Sequence, residues 1–536
     1  MRWTPNGLAL WGRTRVPGVT VTHANSTLRL YVGDTEHPVT RDTDPWAAAE
    51  SPGAWVDDAE TAWHAEGITR PGKLRLELDI AGVTLTGAIM SCSSWLRPLR
   101  APLDHPRLAL TGPGKTGMAL TRLPRPLIRK LVGDQSFLRA HPELYVDLPQ
   151  RLESPTSRFW TVGQKDGSLA LQRGKPFKVD EIGPYHQRQL GLLFEQPVEK
   201  LAERTLFAEA FAGKRGGDNV LPIVVEWHRR HPDWQIYFSV SDFEPEPIPL
   251  ADYPFLTPVL RDSRAYVEAL RHARLLVQNS VFPHYFRKQP GQFYLNTWHG
   301  TPLKKIGFDV PAGTYSLSYL DLLGREVTYW DALLAQNEFS AANFAAAFRY
   351  AGPVLTTGYP RNDALVEPPA AHDQLVVLYA PTWRDDGAPE VLLDAAVFAA
   401  DLPNAELLVR AHHTSANPGV TTANTPDLSA LLRRADVLVT DYSSMLFDFA
   451  VTGKPIILLT PDLAHYRDET RGLNLPLAEL PAPVCNTTAE VVAQLVNLPA
   501  LQARYAEPYA AFQAKYVPFD DGHATARVVD YLESQL

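Results

Sequence analysis

Cysteine is nearly absent: the 536 residues contain two, Cys92 and Cys485, far apart in sequence. That excludes a disulfide framework and a thiolate-rich zinc site, and it fits a reducing compartment. No apolar run reaches the 18 residues that mark a membrane-spanning helix; the best, around Pro455–Thr460, has the length of a buried strand. Near the N-terminus, Gly7–Trp11 is apolar but ends at Arg13, too short for the core of a secretory signal. The expectation is a chain that neither spans a membrane nor is exported. Positive charge is not in excess either. Lys and Arg total 51 against 60 Asp and Glu, a net charge of −9, which excludes the dominant positive field of a general nucleic-acid binder. Three familiar signatures are missing: the G-x-x-x-x-G-K-[ST] phosphate loop, H-E-x-x-H and the G-x-S-x-G elbow.

What is present is ample core material. The chain is 45% hydrophobic and 10% aromatic, so disorder throughout is excluded, and its length implies roughly three or four domains at ~150 residues each. Charge is unevenly spread. Asp34–Glu66 is acidic, whereas Ser91–Gly133 carries Arg97, Arg100, Arg107, Lys115, Arg122, Arg125, Arg129 and Lys130 against Asp104 alone. The basic stretch reads either as a solvated face or as a patch for anionic lipid or a polyanionic acceptor.

The first ~190 residues show period-two alternation in Thr27–Val32 and Lys73–Ile89, with helical periodicity only at Pro124–Val132. They predict a mainly β accessory domain, residues 1–190, without catalytic features. From about Arg204, strand and helix patterns alternate. Expected strands are Gln235–Val240, Arg274–Val277, Gln292–Asn296, Ala332–Gln336 and Val354–Thr357, with helices at Arg264–Ala273 and Ser340–Tyr350. A Pro/Ala-rich linker at Val366–Asp373 precedes further strands at Leu375–Tyr379, Glu406–Val409, Val437–Thr440 and Ile456–Leu459. The fold class expected is α/β, with two Rossmann-like domains at 191–366 and 367–536. Ligands of such sheets bind beyond the carboxyl ends of the strands.

Those ends are where the polar residues gather. Ala380-Pro-Thr-Trp-Arg-Asp-Asp386, Arg410-Ala-His-His413, Asp441-Tyr-Ser-Ser444 and Thr460-Pro-Asp-Leu-Ala-His-Tyr-Arg467 each follow a strand. Ser443 and Ser444 begin an apolar helix, Met445–Thr452, stopped by Gly453. Hydroxyls there suit either plain N-capping or a phosphate at the helix start. Asp448, four residues after Ser444, shares that helix face and is placed to meet a ligand hydroxyl. In the preceding domain His299, followed by Gly300, ends a strand within Asn296-Thr-Trp-His-Gly-Thr-Pro-Leu-Lys-Lys-Ile-Gly-Phe-Asp309. It reads as a structural histidine or as a general base facing Arg410 and His412. Arg361, near the expected hinge, is a candidate phosphate clamp. Asp385–Asp386 reads as a solvated turn or as ligands for Mg²⁺ on a diphosphate.

Together these strings resemble the CDP-glycerol glycerophosphotransferase family, the teichoic acid poly(glycerol phosphate) polymerases and primases. The likeness rests on Thr297-Trp-His-Gly-Thr-Pro-Leu-Lys-Lys305, Gly358-Tyr-Pro-Arg-Asn-Asp363, Ala380-Pro-Thr-Trp-Arg-Asp385 and Asp436-Val-Leu-Val-Thr-Asp-Tyr-Ser-Ser444. Phe447–Asp448, Lys454-Pro-Ile-Ile457, Tyr466-Arg-Asp468 and Arg471-Gly472 add to it. Weaker echoes lie at Gly213–Lys214, Asp218–Asn219, Asp521-Gly522 and Arg527-Val-Val-Asp-Tyr531, so coverage runs from about Phe207 to Tyr531.

The resemblance implies a glycosyltransferase-B-like pair of domains, acceptor side first and CDP-donor side second. It also implies transfer of glycerol phosphate from CDP-glycerol to an acceptor hydroxyl, with release of CMP. By motif position, His299 and His412 are the implied catalytic pair. Gly300, Thr301, Pro302, Leu303, Arg361, Pro381, Thr382, Arg410, Ala411, Ser443, Ser444 and Asp448 are the implied substrate-binding set. The family's usual Arg-x-His-Pro reads Arg410-Ala-His-His413 here; His412 keeps the spacing from Arg410. No metal or other cofactor is obligatory in this reading. The implied partners are CDP-glycerol and a polyol-phosphate or glycan acceptor, a lipid-linked one among the alternatives; peripheral contact with anionic membrane through 91–133 is the reading from charge alone. The implied location is the cytoplasm, at the inner face of the cell membrane. Rival readings are transfer of ribitol or another polyol phosphate from a CDP donor, and a catalytically silent wall-polymer-binding protein.

Overall fold

The computed structural model describes residues 2–4, 7–13, 26–40, 62–80, 83–88, 152–163, 169–244, 248–367, 372–382, 392–410, 421–422, 428–467 and 472–536. They form two compact units, Met1–Gln189 and Leu190–Leu536. The expected helix at Pro124–Val132, the basic stretch 91–133, Asp385–Asp386, Ala411 and His412 lie outside the described residues.

The described strands of the first unit are antiparallel, and a helix over Gly183–Leu192 follows them into the second unit. Strands β1 (Arg2–Thr4), β2 (Gly7–Arg13) and β5 (Ala62–Ile68) make one sheet. A second sheet runs β4 (Thr35–His37), β3 (Ser26–Val32), β6 (Gly72–Ile80), β10 (Leu169–Gly174), β9 (Arg158–Gly163) and β8 (Leu152–Glu153), with β7 (Val83–Ala88) also on β6. The alternation seen over Lys73–Ile89 is thus a hairpin rather than one strand, with Ile80 paired to Val83. Leu28, Leu30, Val32, Leu74 and Leu78 are buried together with Trp63 and Ile68, the inward face that the period of two implies.

The second unit carries two parallel sheets. The first has seven strands in the order β13 (Leu256–Leu260), β12 (Gln235–Val240), β11 (Ala202–Glu209), β14 (Ala273–Gln278), β15 (Phe293–Asn296), β16 (Ala332–Ala335) and β17 (Val354–Thr356). The second runs β20 (Thr421–Thr422), β19 (Ala405–Val409), β18 (Leu375–Ala380), β21 (Val437–Thr440), β22 (Ile456–Leu459) and β23 (Val484–Cys485). Both are doubly wound. The chain builds outward from β11 or β18, then crosses to the other side, leaving a switch point between β11 and β14 and another between β18 and β21. Central strands such as Ala332–Ala335, Val437–Thr440 and Ile456–Leu459 are buried along their whole length, as strands covered on both faces require. β11 and β13 were not among the expected strands, because Ala202–Glu209 begins with charged residues and β13 contains Pro258.

Helices α1 (Val220–Arg230), α2 (Arg264–His272), α3 (Leu317–Val327) and α4 (Glu338–Phe348) accompany the first sheet. The second has α5 (Ala395–Asp401), α6 (Leu428–Arg434), α7 (Met445–Ala450), α8 (Thr488–Val496) and α9 (Leu498–Tyr516). The final helix, α10 (Ala524–Gln535), returns to the first sheet, where Val528, Val529 and Leu532 bury against Trp227, Val224 and Tyr359. Polar contacts at both ends of α10 hold the return. Arg230 reaches Asp530 at 2.5 Å and Glu533 at 3.1 Å. Asp363 accepts from the backbone N–H of Ala524 at 2.9 Å and of Thr525 at 2.8 Å, capping α10 from the segment after β17. Gly358 (φ +79°) fits because a Cβ there would sit 2.5 Å from the carbonyl oxygen of Phe519.

Asp363→Ala removes an N-cap supplied from 161 residues away. It is expected to lower stability by about 1–2 kcal/mol, read as a drop in the urea midpoint at unchanged slope. An unmoved midpoint would show that α10 does not depend on this cap.

Candidate functional site

The switch-point ends of the two sheets come together around the loop that leaves β15. His299 lies there, half-buried, with its Nδ1 2.7 Å from the carbonyl oxygen of Asn279, the residue following β14. A carbonyl only accepts, so Nδ1 carries the proton in the neutral ring and Nε2 keeps its lone pair. The ring stacks on Trp298 (centroids 4.4 Å apart, 25°) and packs against Phe211 at 5.6 Å. Burial lowers the imidazole's pKa below 6.5; the backbone carbonyl of Asn279 and nearby Asp218 oppose the shift, while Arg361 and Lys304 add to it. Trp298 adopts the left-handed region (φ +44°), and the Asn296 side chain accepts its N–H at 2.8 Å. Such a conformation in a non-glycine residue is local strain that the surrounding contacts must hold.

After His299 the loop crosses to the second sheet. Gly300 lies so close to Ser444 that a Cβ would stand 2.5 Å from its hydroxyl oxygen. Thr301 is buried and donates to Gln336, while Ser340 donates to Thr301 at 3.1 Å. Leu303 inserts among Leu378, Tyr442, Leu446 and Leu475 of the second sheet's core. Asn474 donates to the carbonyls of Pro302 (2.9 Å) and Lys304 (3.1 Å), and its own N–H binds the Leu303 carbonyl at 2.8 Å. Thr301, Pro302 and Leu303 therefore fix the loop's path between the sheets, which aims His299.

Arg361 is buried, 7% exposed, between carboxylates from both sides. Its Nε and Nη2 donate to Asp448 of α7 at 3.0–3.2 Å, and Nη1 donates to Asp218, before α1, at 3.0 Å. The two carboxylates strengthen its hold on the proton against the cost of burial. Asn219 accepts the backbone N–H of Arg361 at 3.3 Å. Asp448, placed by sequence toward a ligand hydroxyl, thus has both oxygens on Arg361, and the clamp proposed for Arg361 is already engaged with protein carboxylates.

On the second sheet, Asp441 accepts the N–H of Thr382 at 2.8 Å and of Tyr442 at 2.6 Å, which ties the Pro381–Thr382 turn after β18 to the turn after β21. The Ser443 hydroxyl accepts the N–H of Met445 at 3.3 Å; Ser444 makes no side-chain cap and lies against Gly300. α7 is only six residues long, so its dipole is modest. Arg410, directly after β19, has its pKa lowered by burial and by Arg215. Ala411 and His412, the residues that follow it in the motif, fall outside the described residues. Among the described residues no three His, Cys, Asp or Glu side chains converge as metal ligands. No described helix is long and apolar enough to cross a membrane.

Several residues at the site carried little sequence signal. Asn279 orients His299 through its main chain, which any residue type could do. Asp520 is buried and accepts from Tyr359 N–H (3.0 Å), Asn362 (2.9 Å) and Gln336 (3.0 Å), linking the segment before α10 to Thr301 through Gln336. Burial pushes its carboxyl up to about 6. Its partners are distant in sequence, so only the neighbouring Asp521–Gly522 hinted at it.

Two doubly wound sheets whose switch points meet at a histidine- and arginine-bearing loop cluster make this a two-sheet α/β protein with a polar inter-sheet site. The family follows from comparison. A family model described as CDP-Glycerol:Poly(glycerophosphate) glycerophosphotransferase matches residues 193–534, and the chain belongs to that family. A teichoic acid glycerol-phosphate transferase of Staphylococcus aureus is 31% identical over 374 residues, 62% of this chain and 93% of the relative. A teichoic acid poly(glycerol phosphate) polymerase of Bacillus subtilis is 29% identical over 369 residues, 62% of this chain. The chain spans about half (49%) of that polymerase's length. The solved wall teichoic acid polymerase TagF superposes with a TM-score of 0.58 at 28% identity, covering 65% of this chain and 93% of its own. A His-to-Asn variant of TagF soaked with CDPG gives the same score at 28% identity.

Asp448→Asn leaves a buried guanidinium with one carboxylate instead of two. The expected cost is roughly 3 kcal/mol, because a buried ion pair broken from one side exposes the other charge to an apolar site. Urea unfolding checks it, and an unchanged midpoint would mean that Asp218 alone suffices.

Proposed function

We propose that the chain transfers glycerol phosphate from CDP-glycerol to a hydroxyl of a polyol-phosphate or glycan acceptor, releasing CMP, in the synthesis of a teichoic-acid-like polymer. The observation that carries this reading is the placement of His299, its Nε2 lone pair kept by the Asn279 carbonyl, where the two switch-point edges meet. In this proposal the sheets act as the two lobes of a glycosyltransferase-B-like arrangement, acceptor on the first and CDP on the second. His299 Nε2 takes the proton of the acceptor hydroxyl as that oxygen attacks the glycerol-bearing phosphorus. The bond from that phosphorus to the bridging oxygen breaks, and CMP departs with the electron pair.

In this scheme, charge developing on the leaving phosphate is met by Arg410, His412 and the Ser443–Ser444 hydroxyls. Arg361 serves differently from a bare clamp: Asp218 and Asp448 offset its charge, so it aligns the two sheets while the net positive field comes from Arg410 and His412. No step in this scheme calls on a metal. The location assigned with it is the cytoplasmic face of the membrane, where a lipid-linked acceptor would be reached. A ribitol-phosphate donor is the second reading. It is favoured by a teichoic acid ribitol-phosphate primase of Bacillus spizizenii, 26% identical over 297 residues, 49% of this chain and 75% of the relative.

CMP release from CDP-glycerol, CDP-ribitol and a UDP-sugar, each with a short glycerol-phosphate primer, tests the reading. Primer-dependent release from CDP-glycerol alone is expected, and none from any donor would overturn it. His299→Ala should lower kcat at least ~100-fold while CDP-glycerol affinity by calorimetry stays within about threefold. Affinity lost with rate retained would remove His299 from the base role. The pH profile follows from the same histidine. A base whose pKa lies below 6.5 is neutral at pH 7, so kcat/KM should hold as pH falls through 6.5 and drop only below it. An acid limb above pH 6.5 would contradict this.

A further inference from the structure

The loop between β11 and α1, Ala210–Asn219, stands at the first sheet's switch point, yet the scheme above uses only its end. It reads Ala-Phe-Ala-Gly-Lys-Arg-Gly-Gly-Asp-Asn. Its backbone is unusual: Phe211 (φ +47°), Ala212 (+56°), Gly213 (+74°) and Asp218 (+66°) all lie in the left-handed region. Three of these are not glycine, so the conformation is held against local preference. The glycines let the loop sink onto its neighbours. A Cβ on Gly213 would meet the Ser241 nitrogen at 2.6 Å, and one on Gly216 would meet Ile248 at 2.2 Å. Pinned in this way, the turn raises Lys214 and Arg215, both exposed and without a carboxylate within ion-pair distance among the described residues.

The loop meets the site at His299 and Arg361. Phe211 packs on the His299 ring, Asp218 binds Arg361, and Asn219 accepts the Arg361 N–H. Arg215 lies near enough to Arg410, from the second sheet, to disfavour its charge. Like charges disfavour one another, and an anion bound by both would relieve that, while the pinned turn holds its two cations on the site side of the first sheet.

Resting on the function proposed above, we infer that Lys214 and Arg215 form an anion-binding turn that grips a phosphate group entering the site from the first-sheet side, opposite Arg410. The chemistry fits two sources, the diphosphate of the donor and the terminal phosphodiester of the acceptor chain.

Both side chains are exposed, so Lys214→Ala, Arg215→Ala and the double variant should fold, checked by unchanged thermal unfolding. CMP release is then measured with CDP-glycerol varied at saturating primer, and with primer varied at saturating CDP-glycerol. The double variant should raise one KM about tenfold with kcat little changed, the scale of a lost charge-assisted contact. A rise in the donor KM assigns the turn to the diphosphate; a rise in the primer KM assigns it to the acceptor. Arg215→Lys should recover part of the loss, and added salt should narrow the gap between wild type and variant. Both KM values within twofold of wild type would overturn the inference. Should the wild type release no CMP from any donor, the functional reading fails first. Calorimetry with inorganic pyrophosphate then decides the turn by itself: about tenfold weaker binding by the double variant supports it, and equal binding overturns it.

Discussion

The site of residues 190–536 depends on one guanidinium. Arg361 belongs to the segment that joins the sheets, and it is gripped by Asp218 from the first and Asp448 from the second. A cation buried at this depth is tolerable only with its carboxylates in place, and each carboxylate is rendered tolerable by the cation. The consequence is geometric. α7 and the β11–α1 loop cannot separate without exposing an unpaired charge, so Ser444 stays against Gly300 and the His299 loop keeps its aim.

The rest of the Gly358–Asp363 motif surrounds that pair with backbone economy. Gly358 admits the Phe519 carbonyl, Asn362 shares Asp520 with Tyr359, and Asp363 caps the last helix. Gly358-Tyr-Pro-Arg-Asn-Asp363 therefore ties the segment after β17 to the Phe519–Asp520 stretch and to α10. Thr301, Pro302 and Leu303 do the same between His299 and the second sheet's core. At Arg361, Asp448 and Thr301–Leu303, motif residues that read from sequence as ligand contacts are engaged with the protein itself.

Much of the fold was legible because its signals are local. Buried parallel strands such as Val437–Thr440 and Ile456–Leu459 are continuous apolar runs, and Arg264–His272 and Glu338–Phe348 show the helical period. β11 and β13 were missed because charged and proline residues broke the run, although the sheet buries their ends. The Lys73–Ile89 alternation was right in period and wrong in count, since a tight hairpin between Ile80 and Val83 leaves the alternation nearly in phase. His299, Arg361 and Ser444 were visible as polar residues after strands, and Asp448 as a carboxylate on the helix that Ser444 begins.

Sequence by itself determined the α/β order, the strand-end placement of the polar turns and the motifs that mark the family. Those properties depend on residue type and spacing along one stretch of chain. Tertiary structure alone decided what the polar residues do to one another. That Arg361 spends its donors on Asp218 and Asp448, that the Asn279 carbonyl sets the His299 tautomer, and that Asp520 reaches Thr301 through Gln336 are contacts across up to 184 residues. No local spacing encodes such a pairing, because it arises only when the switch points of two separately wound sheets are brought to the same place.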